Sequence, residues 1–238
     1  CYDTMQYYLR AWEVAPVPKK AAVIIHGLFQ RPANYEKMAR VLSKNYEPMI
    51  FSYPTLRFDL MKSARALNAF LDKRQDVAQF CFVVYGMGGL ILRQAIEMNP
   101  QWLEKIGRSV FLGVPNHGYG WAEKRKGKWW YKLLLGKAGE NILPATAEKL
   151  FPMHGEFGVI MGGKDDAKGI LPWFKQDNDG ILTVESAKQE YLALGKTHFA
   201  LHRDDKLLNM TLSFLNTGRF GRGQRVRKEQ SYTSLWES

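Results

Sequence analysis

Asp179 and His198 follow a predicted strand-to-helix turn in the order carboxylate, then imidazole, and a carboxylate can orient an imidazole for proton transfer. Asp179 and Gly180 precede an apolar run, and His198 precedes the last helical segment of the chain. In acyl transfer such a pair activates a nucleophilic hydroxyl or thiol. Position 86, where the surrounding pattern predicts that nucleophile, is Gly. The sequence therefore predicts an acyl-transfer site without its attacking atom.

Gly86 lies at a predicted sharp turn from a strand into a helix. The run Phe80–Val84 is apolar throughout, which is typical of a buried parallel strand. After the sequence Tyr85-Gly-Met-Gly-Gly89, apolar residues recur at helical spacing. A turn of this kind strains its apex residue and requires small neighbours, and in serine hydrolases the apex is the Ser of Gly-x-Ser-x-Gly. The pattern is that of a nucleophile elbow with Gly at its apex.

Strands and helical segments alternate along the chain. The sequence predicts strands at 21–25, 47–53, 80–84, 109–114, 157–161 and 191–194, and helices from about Pro32, from Asp59 to Leu71, after Gly86 and after Asp204 or Asp205. This alternation favours a mostly parallel central sheet flanked by helices on both faces, an α/β fold. Functional sites in such sheets form at the carboxyl ends of the strands. The residues expected there are His26, Gly86, Asn116, Asp179 and His198.

The 238 residues, of which 46% are hydrophobic, predict a single α/β domain over residues 1–216 and a basic C-terminal tail over 217–238. The alternation breaks over about 117–153, which is basic and aromatic and is expected to be a lid-like insertion above the sheet. Trp129 and its neighbours either cover a pocket as a lid or pack on the core. A surface segment that binds anionic lipid is the alternative.

Five local motifs, in this order, resemble the α/β-hydrolase superfamily, in particular its bacterial lipase-like and esterase-like branch. The resemblance covers residues 20–216. The motifs are Ile25-His-Gly-Leu28, Met87-Gly-Gly-Leu90, Gly113-Val-Pro-Asn-His-Gly118, Asp179-Gly180 and His198.

The resemblance implies the α/β-hydrolase fold and a role for each motif. Asp179 would orient His198, with Asp177 as a substitute, and the backbone N–H groups of Met87 and of Leu28 or Phe29 would form the oxyanion hole. His26 and Asn116 would support the loops around the site. Gly86 stands where the family has its nucleophilic Ser, and the preceding Val84 and Tyr85 depart from the family's Gly and His.

The departure at Gly86 predicts a relative of carboxylic-ester hydrolases with little or no hydrolysis, because loss of the nucleophile removes the function of the other triad members. Natural loss is the favoured origin. The alternatives are an engineered variant of an active serine esterase or lipase, and an enzyme in which His198 activates water directly. A non-catalytic module that binds lipid or an acidic partner belongs to a different functional class.

The partners implied are a small ester or acyl lipid in the site and an anionic surface along Lys124, Arg125, Lys126 and Lys128. The formal net charge of +11 favours acidic partners, but no nucleic-acid-binding signature surrounds the basic stretches. No metal-ligand spacing and no cofactor motif are found, so neither group is predicted. A cytoplasmic location and the bacterial envelope both remain open, the latter through lipid modification of Cys1.

Overall fold

The structure is a computed structural model that describes residues 9–11, 20–55, 58–118, 120–124, 126–129, 139–140, 143–147, 149–150, 155–162, 191–194 and 202–221. All structural statements below concern these residues. Within them, no helix combines the length and the apolar character needed to cross a bilayer.

The described strands form one sheet, in which every neighbouring pair is parallel except the first. The strands are β1 (Leu9–Ala11), β2 (Lys20–Ile25), β3 (Glu47–Phe51), β4 (Gln79–Tyr85), β5 (Ile106–Leu112), β6 (Phe157–Gly162) and β7 (Tyr191–Leu194). Their spatial order is β1-β3-β2-β4-β5-β6-β7, with β1 antiparallel to β3. The mostly parallel sheet predicted from the sequence is confirmed.

Helices connect these strands. The α-helices are α1 (Glu36–Leu42), α2 (Leu60–Asp72), α3 (Met87–Met98), α4 (Gly120–Glu123), α5 (Pro144–Ala147) and α6 (Asp205–Thr217), with 3-10 turns at Pro32–Tyr35 and Pro100–Lys105. Asp59 caps α2, its side chain accepting a hydrogen bond from the backbone N–H of Lys62 at 3.0 Å. Asp204 caps α6 in the same way. Both caps satisfy helix N–H groups that have no intrahelical partner.

Buried side chains from alternate positions of the strands pack against helices on opposite faces of the sheet. Val23 and Ile25 lie in the cluster that contains the apolar residues of α2 and α3. Ile24 belongs to the other cluster, which contains those of α1 and α6. The layers are therefore helix, sheet and helix.

The strand order reverses direction at β2, which lies between β3 and β4. The chain leaves β2 towards α1 on one face, and it leaves β4 towards α3 on the opposite face. The two connections diverge at the carboxyl ends of β2 and β4, the position at which open α/β sheets bind their ligands. The loop of residues 26–30 follows β2 on one side of this position, and Gly86 follows β4 on the other side.

The structure differs from the sequence prediction in a few elements. The edge strand β1 was not predicted, because three residues carry no readable periodicity and their partners lie about forty residues away in β3. The strand expected over 47–53 ends at Phe51, and the one expected over 109–114 spans Ile106–Leu112. Phe220, beyond the expected domain boundary at residue 216, is buried and stacks on Phe214 of α6 with ring centroids 4.6 Å apart.

Candidate functional site

Gly86 connects β4 directly to α3 and has backbone angles of φ 50° and ψ −120°. A residue with a side chain is strained at such a positive φ, whereas Gly adopts it at no steric cost. Two hydrogen bonds fix the bend: the N–H of Gly86 donates to the carbonyl of Leu112 at 3.0 Å, and the N–H of Gly89 donates to the carbonyl of Gly86 at 3.1 Å. The strand and the helix predicted on either side of residue 86 are both present.

Gly88 permits the first turn of α3 to lie directly against the end of β2. A Cβ atom at this position would be 2.9 Å from the carbonyl oxygen of His26 and closer still to that of Ile25. Only a residue without a side chain fits this approach. It brings the N–H groups of the first turn of α3, beginning with Met87, next to the loop that follows Ile25; such N–H groups have no partner within their own helix.

Residues 26–30 form a short loop whose shape is held by Gln30. The side-chain oxygen Oε1 of Gln30 accepts hydrogen bonds from the N–H of Gly27, at 3.2 Å, and from the hydroxyl of Tyr35. Leu28 is partly buried against the core. Phe29 has φ 59° and is 59% exposed, so its backbone is turned by the loop while its ring faces solvent. Non-Gly residues with positive φ often mark functional loops.

His26 is a buried support of this loop. Its Nδ1–H donates to the carbonyl of Gly27 at 2.9 Å, since a carbonyl can only accept. Its Nε2 then accepts from the hydroxyl of Ser52 at 3.2 Å. The ring stacks on Tyr53 with centroids 4.6 Å apart, and the Tyr53 hydroxyl donates to the His26 carbonyl at 2.9 Å. Burial lowers the pKa of His26, so the imidazole is held in its neutral form.

Tyr85, the residue before the bend, lies in a buried aromatic cluster. Its ring meets the edge of Tyr35 at 6.1 Å and that of His202 at 5.7 Å between centroids. His202 also receives a hydrogen bond at Nε2 from Nε of Arg203, at 3.1 Å. The cluster packs the turn before α6 against the loop and the bend.

Asn116 lies in the loop after β5 and is only 4% exposed. Among the residues that the structure describes, neither Nδ2 nor Oδ1 of its side chain has a hydrogen-bond partner. Its backbone carbonyl, by contrast, accepts a hydrogen bond at 3.0 Å from Nη1 of Arg93 on α3. Buried amides without partners are rare in folded proteins. Asn116 thus combines a fixed backbone with an unsatisfied side chain.

Arg93 is a site-supporting residue that the sequence analysis did not identify. It is 7% exposed, and its Nη2 donates to the carbonyls of Ala147 at 3.0 Å and Leu150 at 2.8 Å. Burial lowers the pKa of Arg93 to about 10, with nearby Glu97 acting in the opposite direction. A charged residue within the apolar run Leu90-Ile-Leu-Arg93 was the available signal, because a charge at a core-facing position requires buried acceptors.

Some of the other residues that the sequence predicts for the site or for binding lie outside the part of the chain that the structure describes. Asp179 and His198, the expected acid and base, lie outside the described residues, as do Asp177 and Arg125. Lys124, Lys126 and Lys128 are described, and all three are exposed. Cys81 is buried in β4 as a free thiol, and burial raises its pKa, which is unfavourable for nucleophilic chemistry.

No family model matches the chain, and a search of curated proteins finds no match. Solved structures do resemble it. The mature form of the lipase BlEst2 from Bacillus licheniformis shares 19% identity at a TM-score of 0.63, over 82% of this chain and 93% of the lipase. The propeptide form shares 18% at 0.67, over 94% of this chain and 55% of that one, so this chain spans about half its length.

The esterase RhEst1 from a Rhodococcus species shares 13% identity at a TM-score of 0.58, over 89% of this chain and 94% of the esterase. At these identities the similarity shows the fold alone. The fold is that of the α/β-hydrolases, as expected from the motifs in the sequence.

Proposed function

We propose that this chain is an α/β-hydrolase-fold relative of carboxylic-ester hydrolases, in which Gly86 replaces the nucleophilic serine and hydrolysis is absent or very slow. The observation that carries the proposal is the bend at residue 86, with φ 50° between β4 and α3. A nucleophile elbow requires this strained turn at the carboxyl edge of the sheet. The residue at its apex has no side chain to attack with.

The backbone around Gly86 supports the proposal that an oxyanion hole is retained although the nucleophilic serine is absent. In the proposal, the N–H of Met87 and that of Leu28 or Phe29 are its donors. The close approach of Gly88 to Ile25 and His26 brings these two segments together. Gln30 and His26 hold the loop from the other side. Preorganised donors of this kind stabilise the negative charge of a tetrahedral intermediate.

Asp179 and His198 complete the proposal as the orienting carboxylate and the general base. Their assignment rests on the sequence motifs. Without a nucleophile this pair has no hydroxyl to deprotonate, and only about 10³–10⁴-fold acceleration over water, from the oxyanion hole and binding, is expected to remain. The substrate class that the fold suggests is a small ester or acyl lipid, with the insertion at 117–153 as its lid.

Natural loss explains the neighbouring residues better than a single engineered change. Tyr85 and Val84 also depart from the family pattern, and a single laboratory substitution at residue 86 would not account for these two departures. Tyr85 is fully integrated in the core, where its ring packs against Tyr35 and His202. The residue before the apex is therefore adapted to the present structure.

The test restores the hydroxyl. Gly86→Ser is assayed with short-chain p-nitrophenyl esters beside the unmodified chain, with Gly86→Ala as the matched control for backbone strain. We expect no significant turnover by the unmodified chain or by Gly86→Ala, and measurable turnover by Gly86→Ser that disappears when His198→Ala is added. Strong turnover by the unmodified chain that is abolished by His198→Ala would refute the proposal. Inactivity of a well-folded Gly86→Ser variant would contradict the retained oxyanion hole and base.

A further inference from the structure

Three large apolar side chains are the most exposed in the described part of the chain, and two of them, Phe29 and Met61, lie at the carboxyl edge of the sheet. Phe29 follows the carboxyl end of β2 and is 59% exposed. Met61, 42% exposed, is in the first turn of α2, which begins at the same edge because the chain enters it from the end of β3. Trp129, 76% exposed, follows α4 in the segment that leaves the end of β5.

A cluster of lysines accompanies Trp129. Lys124, Lys126 and Lys128 are all exposed, and Glu123, the acidic residue beside them, forms an ion pair with Lys126. The turn has open space at Gly127, where a Cβ atom would meet no atom of the described residues within 4 Å. It is nevertheless attached, because Ala122 of α4 is fully buried in the core. The exposed Trp and lysines are thus held outward by an anchored segment.

We propose that the segment carrying Trp129 and the lysines joins Phe29 and Met61 at this edge, and that the surface they form binds an anionic lipid bilayer. The binding surface consists of three apolar and three basic side chains: Phe29, Met61, Trp129, Lys124, Lys126 and Lys128. Trp is favoured at membrane–water interfaces, where its ring contacts acyl chains and its N–H reaches the headgroups. Lysines beside it are attracted by the negative surface potential of anionic lipid.

The apolar members favour a bilayer over a nucleic acid as the partner. Phosphate contacts use the lysines but leave Phe29, Met61 and Trp129 in water. A bilayer accepts both kinds of side chain at once, and the net charge of +11 adds long-range attraction. The same edge of the sheet carries the bend at Gly86, so a bound bilayer would face the proposed site. The surface is tested independently of any turnover at that site.

The experiment is co-sedimentation of the full chain with vesicles of phosphatidylcholine alone or mixed with phosphatidylglycerol. We expect binding to the mixed vesicles that weakens as salt is raised from about 0.1 M to about 0.5 M, because salt screens exposed charges. Each lysine near an anionic surface contributes about fivefold to partitioning. The variant Lys124→Glu/Lys126→Glu/Lys128→Glu should therefore bind at least about tenfold more weakly, allowing for the partner of Lys126.

The matched control reverses the same number of charges at the opposite edge of the sheet. Lys20, Lys44 and Lys73 are exposed and lie at the start of β2 and after the ends of α1 and α2. Their triple exchange to Glu changes the net charge equally and should retain most of the binding. Equal losses in the two triple variants would overturn the proposal in favour of unspecific charge attraction.

Trp129 provides a second readout. Trp129→Ser should weaken binding to the mixed vesicles, and quenching of Trp fluorescence by brominated lipids should fall in Trp129→Phe while binding persists. Circular dichroism of each variant establishes that it is folded. Failure of the unmodified chain to bind vesicles would overturn the proposal, as would binding of duplex DNA with the same lysine dependence and no binding to vesicles.

Discussion

The guanidinium of Arg93 and the backbone carbonyl of Asn116 are joined by a buried hydrogen bond of 3.0 Å. This bond ties α3, the helix that follows the bend, to the loop that follows β5. The same guanidinium reaches the carbonyls of Ala147 and Leu150, so one side chain holds the loop and part of the insertion against the helix. The pKa of Arg93, lowered by burial to about 10, still leaves the side chain charged at neutral pH.

Arg93→Met should lower the free energy of unfolding by about 2–4 kcal/mol, because the buried carbonyls lose their donor. The removal of a buried charge offsets only part of this loss. The free energy of unfolding of Arg93→Lys should lie between those of the unmodified chain and Arg93→Met, because one ammonium group cannot make all the hydrogen bonds of the forked guanidinium. Urea denaturation measures the change. The exposed Arg65 on α2 offers the control: Arg65→Met should stay within about 0.5 kcal/mol of the unmodified chain. A similarly small change for Arg93→Met would contradict the role of Arg93 in holding the loop and the insertion against α3.

Replacing the side chain of Asn116, unlike that of Arg93, should not destabilise the protein. Its side-chain amide is buried without a partner in the described part of the chain, so replacing it by an apolar residue removes a desolvation cost. We expect Asn116→Leu to leave the free energy of unfolding unchanged or to raise it by about 1 kcal/mol.

Asn68 is the comparison: its Oδ1 is also buried without a partner among the described residues, but its Nδ2 donates to the carbonyl of Ala95 at 3.0 Å. Asn68→Leu should lower the free energy of unfolding by about 1 kcal/mol. A larger loss for Asn116→Leu than for Asn68→Leu would mean that the Asn116 amide has a partner in solution. Paired urea titrations of the two variants decide the question.

Gly88→Ala should strongly destabilise the protein. The added methyl would meet the backbone carbonyls of Ile25 and His26, which belong to the end of a central strand and its loop and cannot move independently. Overpacking of this kind costs about 1–3 kcal/mol or more. Gly127→Ala is the control, since its Cβ would meet nothing within 4 Å. Thermal unfolding of both variants should show a lowered Tm for Gly88→Ala alone, and comparable Tm values would refute the close approach.

Local sequence patterns predicted the elements on which the site is built. The apolar run of β4 and the helical spacing after Gly86 predicted the bend, because both signals lie within about fifteen residues. The Asp59 cap was equally readable, as its partner Lys62 is three residues away. The mostly parallel sheet with helices on both faces follows from the same alternation of strands and helices.

The parts that were missed depend on residues far apart in the sequence. The role of Arg93 depends on the carbonyls of Ala147 and Leu150, which lie more than fifty positions later in the chain, so the sequence shows a charge in an apolar run but not its partners. The edge strand β1 exists only through its pairing with β3. Gln30 holds its loop through Tyr35 and Gly27, a geometry that no composition rule reveals. Asp179 and His198 stay predictions from the motifs in which they occur.

His26 should make the stability of the protein depend on pH. Burial lowers its pKa in the folded state, whereas in the unfolded chain the value is 6.5. As pH falls below 6.5, the unfolded chain takes up a proton that the folded protein resists, because burial disfavours the charged imidazole. The unfolded state then binds more protons, so the free energy of unfolding decreases, by at most about 1.4 kcal/mol per pH unit from this one group.

The measurement compares urea denaturation at about pH 7.5 and about pH 5.5, on the two sides of the ordinary His value. His26→Gln should lose less stability over this interval than the unmodified chain, because carboxylate contributions are common to both and only the His26 contribution is removed. If His26→Gln keeps the full loss on acidification, the buried imidazole is not the group that resists protonation, and its role as the neutral support of residues 26–30 is wrong.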